Sequence, residues 1–295
     1  MNIYKLRSKI KPFASLAIIL FTVTIFVLFY RSHPEIKHQL SQLSIYKFSL
    51  LIFLYAISFV SISLVNTATL KLCQIKPIKR ELFLLTAYSA VINFFGPLQS
   101  GPAARAIYLK KRYDLSLKKY SLATLFYYFF WALFSIIFLL SGILNWLILP
   151  LVLLSLLTVI IVFKTNKFKS KFKDLEINNW YLIGLATLLQ VFINSLIYFV
   201  ELTIVAPSIH FNQAIIYSGA ANLALFVSLT PGAIGFRESF LVLSHKLHHL
   251  SNTVIVSANI IDRSVYIVIL LILSVIIVLT HAAKRLGLTK QIKKI

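Results

Sequence analysis

The sequence predicts an all-α polytopic membrane protein of about six full transmembrane helices and two re-entrant helical hairpins, arranged as an inverted repeat. Three observations carry this. Hydrophobic residues make up 59% of the 295 and charged residues only 13%, a balance foreign to soluble domains. Several uncharged runs are long enough to cross a bilayer. Two of those runs are broken internally by Pro and Gly, and broken backbone at membrane depth is tolerated only where protein or a water-filled cavity covers it.

The uncharged stretches are 12–30, 48–70, 82–104, 120–163, 177–200, 202–236 and 264–283. The first follows Lys5, Arg7, Lys9 and Lys11 but lacks a small-x-small cleavage site after it, so it reads as an uncleaved span. The stretch 120–163 is too long for one span, and Ser141-Gly142 and Asn145 divide it into 120–141 and 146–163 with a tight turn between. The last helix is expected from Asn252 to Thr280, which places Asp262 and Arg263 inside it.

Loop charges set the topology. The chain carries 30 Lys and Arg against 8 Asp and Glu, a formal charge of +22, and the basic residues lie between apolar runs rather than on one soluble face. That distribution argues for anionic lipid headgroups as neighbours and against nucleic acid. If 82–104 crossed once, the basic loops at 105–119 and 164–173 would fall outside. If 82–109 enters and returns as a hairpin, those loops join the N-terminus and the 71–81 loop in the cytoplasm, as the positive-inside rule requires. A second hairpin over 213–249, entering from the opposite side, brings Lys284, Arg285, Lys290, Lys293 and Lys294 inside as well. Both termini are then cytoplasmic, in a multi-pass protein of the cell membrane.

An offset of 134 residues carries Pro97 onto Pro231 and Gly101 onto Gly235, together with three of the spans. The chain divides as one integral membrane domain into halves 1–143 and 144–295. Each half holds three spans and a hairpin, so the second must insert upside down relative to the first. Inverted repeats of this kind place a site at the midplane, where broken helices meet.

The candidate site residues follow from those breaks. Pro97 with Gly101, and Pro231 with Gly232 and Gly235, free backbone groups; either motif alone reads sooner as a kink, and their matching places in the two halves turn the reading toward a site. Arg105 follows the first break, and Arg237 and Glu238 follow the second. A carboxylate at membrane depth costs about 2.5–3.5 kcal/mol and needs a partner. For Glu238 and Asp262 the candidates are Arg237 and Arg263, with Glu238–Arg263 the expected cross-contact; static ion pairing competes with ligand binding as their role. Asn93 is placed to cap groups freed by the first break. Gln190 and Asn194 share one helix face, where packing through hydrogen bonds competes with lining a path. Glu201 reads as a solvated helix end. His245, His248 and His249 have helical spacing but no further ligand to complete a metal site, so they read as an interfacial surface. No metal or cofactor is expected. The single Cys73 excludes an internal disulfide. There is no P-loop, nucleophile elbow or His-Glu-x-x-His helix, so ATP-driven transport by this chain alone is not indicated, and no enzyme class is.

The run Leu229-Thr-Pro-Gly-Ala-Ile-Gly-Phe-Arg-Glu238, with Arg263 in the following helix, resembles the lysylphosphatidylglycerol synthase transmembrane region, also called the flippase-like family. Its most specific element reads here Pro231, Gly232, Gly235 and Glu238. The first-half motif departs from the family form: Gln99-Ser100-Gly101-Pro102 has no acidic residue after Gly101. The resemblance covers nearly the whole chain and implies lipid handling. In bifunctional relatives this region is linked to translocation of an aminoacylated phospholipid made by a separate soluble domain. That domain is not in this sequence, so lysyl transfer is not expected of it. The function expected is a membrane lipid translocase or a transporter of a lipid-linked anionic molecule, with anionic membrane lipids as partners and a lipid-modifying enzyme or glycosyltransferase encoded nearby. The alternatives are an intramembrane transferase acting on a lipid headgroup, with Glu238 or Asp262 as base, and a non-transporting scaffold.

Overall fold

The computed structural model describes residues 43–95, 100–144, 174–226 and 236–285, with Arg31, Pro150, Leu154, Thr165 and Phe172. Pro97, Pro231, Gly232 and Gly235 lie outside the described residues, as do nearly all of the expected spans 12–30 and 146–163. Among the described residues every regular element is a helix. In chain order these are α1 (Ile45–Leu72), α2 (Lys79–Phe95), α3 (Ser100–Tyr113), α4 (Leu117–Leu144), a 3₁₀ turn (Ile177–Asn179), α5 (Trp180–Val205), α6 (Phe211–Phe226), α7 (Phe236–Leu243), α8 (His245–His248) and α9 (Asn252–Arg285).

Four of them, α1, α4, α5 and α9, are long and apolar enough to cross a membrane. Their faces are inverted relative to a soluble helix. On α1, Ser58, Ser61, Asn66 and Thr69 are buried while Phe53, Val60 and Leu64 are exposed; on α5, Thr187, Gln190, Ser195 and Glu201 are buried while Leu185, Leu189 and Phe192 are exposed. Polar atoms inside and apolar side chains outside suit a hydrocarbon solvent. Several hydroxyls on these faces are satisfied locally: Thr67 donates to the Ser63 carbonyl at 2.8 Å and buried Thr69 to that of Val65 at 2.9 Å.

The helix ends have ordinary causes. Ser44 caps α1 by accepting from the Lys47 amide at 3.3 Å, and Gln74, at a φ of 62°, turns the chain after it. α5 stops at Val205, just before Pro207, with the Ala206 amide still donating to the Leu202 carbonyl at 2.8 Å. α4 corrects one expectation. It continues through Ser141-Gly142 to Leu144 instead of turning there. Gly142 is small because Ile216 Cδ1 and the Leu247 carbonyl press on it: a Cβ would meet them at 2.6 and 3.0 Å.

The order of a long helix, two short limbs and a long helix occurs twice, over α1–α4 and over α5–α9. Packing follows the same correspondence. α1 packs on α2 as α5 packs on α6, α2 on α3 as α6 on α7, α3 on α4 as α7 on α9, and α4 on α6 as α9 on α2. The counterparts α1 and α5 pack on each other and run antiparallel. Lys47 Nζ donates to the Thr203 carbonyl at 3.0 Å near one end, and the Glu176 amide, just before α5, donates to the Leu72 carbonyl at 2.9 Å near the other.

The short limbs fold back on their predecessors. Ser100 Oγ donates to the Ile92 carbonyl at 2.9 Å, and Tyr108 and Tyr113 donate to the two carboxylate oxygens of Glu81 at 2.5 and 2.7 Å. Burial first, and then the Glu81 hydrogen bond, push the Tyr113 hydroxyl up to about 12. Gly101, expected as part of the break, lies inside α3 at its closest approach to α2. A Cβ there would sit 2.4 Å from the Ser89 carbonyl oxygen, so only Gly fits. Gly219 does the same between α6 and α4, where a Cβ would lie 2.3 Å from the Leu139 nitrogen and 2.6 Å from the Ser135 carbonyl oxygen.

Candidate functional site

Between the two halves lies a partly open cavity of about 310 Å³, to which every helix except α8 contributes a wall. Tyr55, Ser58 and Phe59 enter from α1, Thr86, Ser89 and Asn93 from α2, and Arg105 from α3. Tyr127, Tyr128 and Trp131 come from α4, Gln190, Asn194 and Tyr198 from α5, and Leu225 and Phe226 from α6. Arg237 of α7 and Asp262, Arg263 and Tyr266 of α9 complete it.

Four of the charged residues expected at the site form two crossed ion pairs between α7 and α9. Arg237 Nη1 donates to Asp262 Oδ2 at 2.5 Å, and Arg263 donates to Glu238 Oε1 through Nη2 at 2.6 Å and Nε at 3.1 Å. The Glu238–Arg263 contact is the one expected from sequence. The neighbour pairs Arg237–Glu238 and Arg263–Asp262 do not form, because residues adjacent on a helix point about 100° apart. The Arg237–Asp262 side chains are only 7% and 11% exposed, so this pair is desolvated; Glu238, at 24%, is less so. Desolvated pairs of this kind are costly to break by removing one member.

Arg237 has more donors than partners. Its guanidinium lies 5.1 Å from the Tyr198 ring centroid, a cation–π contact, while its buried Nε and Nη2 have no acceptor among the described residues. Arg105 hydrogen-bonds Asn66 through Nη1; among the described residues its buried Nε has no acceptor and no carboxylate stands within ion-pair distance of it. Arg237 and Arg263 are paired with Asp262 and Glu238, so among the described residues Arg105 is the arginine on the cavity wall that no carboxylate balances.

The remaining expectations divide. Asn93 accepts from the Gly101 amide at 3.3 Å and so caps the start of α3, as its position suggested. Asn194 is structural glue: it accepts from Ser58 at 3.3 Å and donates to Asn222 at 3.2 Å, joining α1, α5 and α6. Gln190 lines the cavity with a buried Oε1 that has no donor among the described residues.

Two expectations are corrected. Glu201 is not a solvated helix end but 1% exposed, because α1 covers that face of α5 and Tyr55 binds its carboxyl at 3.2 Å. His248 is not at a surface: it is fully buried against the Leu241 carbonyl and the Leu250 amide, and burial lowers its imidazole to about 4. His245 and His249 stay outside that pocket, and no group of three metal-ligating side chains forms among the described residues.

Sequence reasoning missed the tyrosines. Tyr55, Tyr127, Tyr198 and Tyr266 sit within apolar spans, and Tyr55 donates to Asp262 Oδ1 at 2.5 Å. Tyrosine in membrane helices usually belongs to the interfacial belt, so a mid-span Tyr with no water for its hydroxyl is itself a signal.

Fold and site together define, among the described residues, an all-helical protein of the membrane-embedded type, with a largely apolar cavity inside it that bears three arginines and one aspartate on its wall. Comparison of the chain with protein-family models, with curated proteins and with solved structures returns no match.

Proposed function

We propose that this protein is a translocase for lipids, or lipid-linked molecules, that carry an anionic phosphate-bearing headgroup. The observation that supports it best is the set of unpartnered guanidinium donors on the cavity wall, Nε and Nη2 of Arg237 and Nε of Arg105, with Arg105 in excess over the carboxylates. Planar donors with no acceptor among the described residues suit phosphate oxygens, and they act in a site largely removed from water.

In this reading the chain has six full spans, and α2–α3 and α6–α7 are re-entrant hairpins entering from opposite sides of the cell membrane. Both termini are cytoplasmic, and the two halves form an inverted repeat. The antiparallel α1–α5 pair and the matched packing of the halves support it. The resemblance of the Pro231-to-Glu238 run to the flippase-like family points the same way. Rocking of the halves about α1 and α5 would open the cavity alternately to the two leaflets. The apolar walls supplied by Phe59, Phe226, Ile269 and Leu273 would accept the start of an acyl chain beside the headgroup.

The test is movement of a fluorescent NBD-phosphatidylglycerol between leaflets of reconstituted vesicles, read by dithionite quenching. Wild type is expected to accelerate movement. Arg105→Gln, at a half-buried residue whose loss spares both ion pairs, is expected to slow it about tenfold or more, as one charged hydrogen bond is worth about 1.5–3 kcal/mol. Equal rates in empty vesicles, wild type and variant would sink the reading. A lipid species of changed mass after incubation would favour a headgroup transferase instead.

A further inference from the structure

One tyrosine stands between two carboxyl groups. Tyr55 Oη is 2.5 Å from Asp262 Oδ1 and 3.2 Å from Glu201 Oε1, and all three residues are buried. A phenol has one hydrogen to donate, and an ionised carboxylate only accepts. Were Glu201 and Asp262 both ionised, one of these contacts would be two oxygens facing each other without a proton. A proton on Glu201 resolves it: Glu201 donates to Tyr55, and Tyr55 donates to Asp262.

Charge placement agrees on which carboxyl holds the proton. The groups facing Glu201 are Tyr55 from α1, Tyr198 from its own helix, Tyr217 from α6, Arg237 from α7 and Asp262 from α9. Lys47 reaches α5 nearby but spends its ammonium on the Thr203 carbonyl. Arg237 is the one cation in that group and is paired with Asp262, so Asp262 is the ionised member. Glu201 has no cation at ion-pair distance among the described residues.

We propose that Glu201 stores a proton and passes it through Tyr55 to Asp262 when an anionic headgroup takes over Arg237, so that anion loading and proton movement are coupled. The proposal rests on the translocase reading above and names how that site would be driven. The step balances. The Glu201 O–H bond breaks as a new O–H forms on Tyr55, the original Tyr55 O–H breaks, and an O–H forms on Asp262 Oδ1. Glu201 becomes a carboxylate, Tyr55 is unchanged, and Asp262 becomes a neutral acid. Arg237 Nη1 then turns from Asp262 Oδ2 to a phosphate oxygen. Glu201 lies about one turn before the end of α5 and off the cavity wall, while Asp262 lines it. The relay thus joins a store behind the wall to the anion site in front of it. Refilling of Glu201 from the nearby end of α5 gives one proton taken up per anion loaded.

Two measurements test this on the full chain. The first is infrared spectroscopy of the purified protein at neutral pH, in water and in heavy water. Wild type should show a protonated carboxylic acid carbonyl band, absent in Glu201→Gln and retained in Tyr55→Phe. The second is the NBD-phosphatidylglycerol assay in phosphatidylcholine vesicles under an imposed pH gradient. In wild type the leaflet ratio of the probe should shift by up to about tenfold per pH unit for one coupled proton. Neither Glu201→Gln nor Tyr55→Phe should respond to the gradient. Absence of the acid band, its survival in Glu201→Gln, or a gradient response equal to wild type in Tyr55→Phe overturns the proposal. Probe movement in wild type that ignores the gradient overturns proton coupling and leaves the translocase standing. A correct acid band with no probe movement overturns the translocase, and coupling with it.

Discussion

Asp262→Asn removes the charge opposite Arg237 while keeping the size of the side chain and an amide oxygen for Tyr55 to reach. Arg237 is 6% exposed, so the change strands a guanidinium in a nearly water-free site. Removing one partner of such a pair costs about 3–5 kcal/mol, because the other charge stays buried. Arg237→Gln strands the carboxylate instead and belongs in the same range. The double variant Arg237→Gln, Asp262→Asn leaves two neutral amides facing each other. It should cost less than the sum of the singles by about 0.5–3 kcal/mol. For a chain of this size about 2 °C of melting temperature corresponds to each kcal/mol, so each single should lower Tm by about 6–10 °C. The assay is thermal unfolding in mild detergent at one fixed scan rate, since unfolding of such proteins is usually irreversible. Breaking the Arg263–Glu238 pair should cost less, because Glu238 retains more solvent. Singles that lower Tm by under about 2 °C, or a strictly additive double, would refute the claim that this pair is desolvated and coupled.

Two further expectations concern packing and pH. Gly219→Val drives a branched side chain into the α4 backbone, where even a Cβ meets the Leu139 nitrogen at 2.3 Å; it should reduce the yield of monodisperse protein on size exclusion far more than Ala→Val at exposed Ala56. His248 is held at about 4, below the usual imidazole value of 6.5, by burial. The unfolded chain binds its proton first, so the stability contributed by neutral His248 is complete above about pH 6.5 and is lost as pH falls toward 4. His248→Gln should lower stability at neutral pH and flatten that acid slope, as followed by Tm between those pH values; an unchanged slope would show that another group carries it.

The long helices were legible because each is a continuous apolar run, and the inside of α9 was legible because Asp262 and Arg263 interrupt one. Asp262 and Arg263 could be placed in a helix from sequence, and Arg263 matched to Glu238, but Asp262 was not matched to Arg237. The matching depends on rotation: α7 turns Arg237 to one carboxylate and Glu238 away to the other cation, and that register is a tertiary fact. Glu201 misled for a related reason. A carboxylate near a helix end is usually solvated, and only the packing of α1 over that face, invisible in a linear reading, buries it. Gly101 and Gly142 were taken for breaks because Gly interrupts helices by propensity; against a neighbouring backbone, the absence of Cβ matters more than the propensity.

The two arms of the fold are alike in order but not in anchorage, and this bears on which one moves. The 134-residue offset carries Arg237, Glu238, Asp262 and Arg263 back onto Ala103, Ala104, Tyr128 and Phe129, none of them charged. The α7 limb is therefore tied to α9 by two ion pairs. The α3 limb is tied mostly to α2 itself, through Ser100, Gly101, Tyr108 and Tyr113, and among the described residues it reaches the body by the Arg105–Asn66 hydrogen bond and the packing of Ala106, Leu109 and Tyr113. If an anion draws Arg105 away from Asn66, the α3 limb loses that tie to α1, while α2 keeps its own through Asn66 and Thr86 at 2.9 Å; the α7 limb keeps its second pair even when Arg237 is engaged. Substrate should loosen the α3 limb and leave the α7 limb in place. Hydrogen exchange by mass spectrometry should then show faster amide exchange in α3 than in α7, although α3 is 14 residues long and α7 only 8. Arg105→Gln should raise exchange in α3 alone, and Asp262→Asn in α7 alone. Equal protection of the two limbs, or a rise in both with either variant, would mean that the arms open as one unit and that the charges do not decide which of them moves.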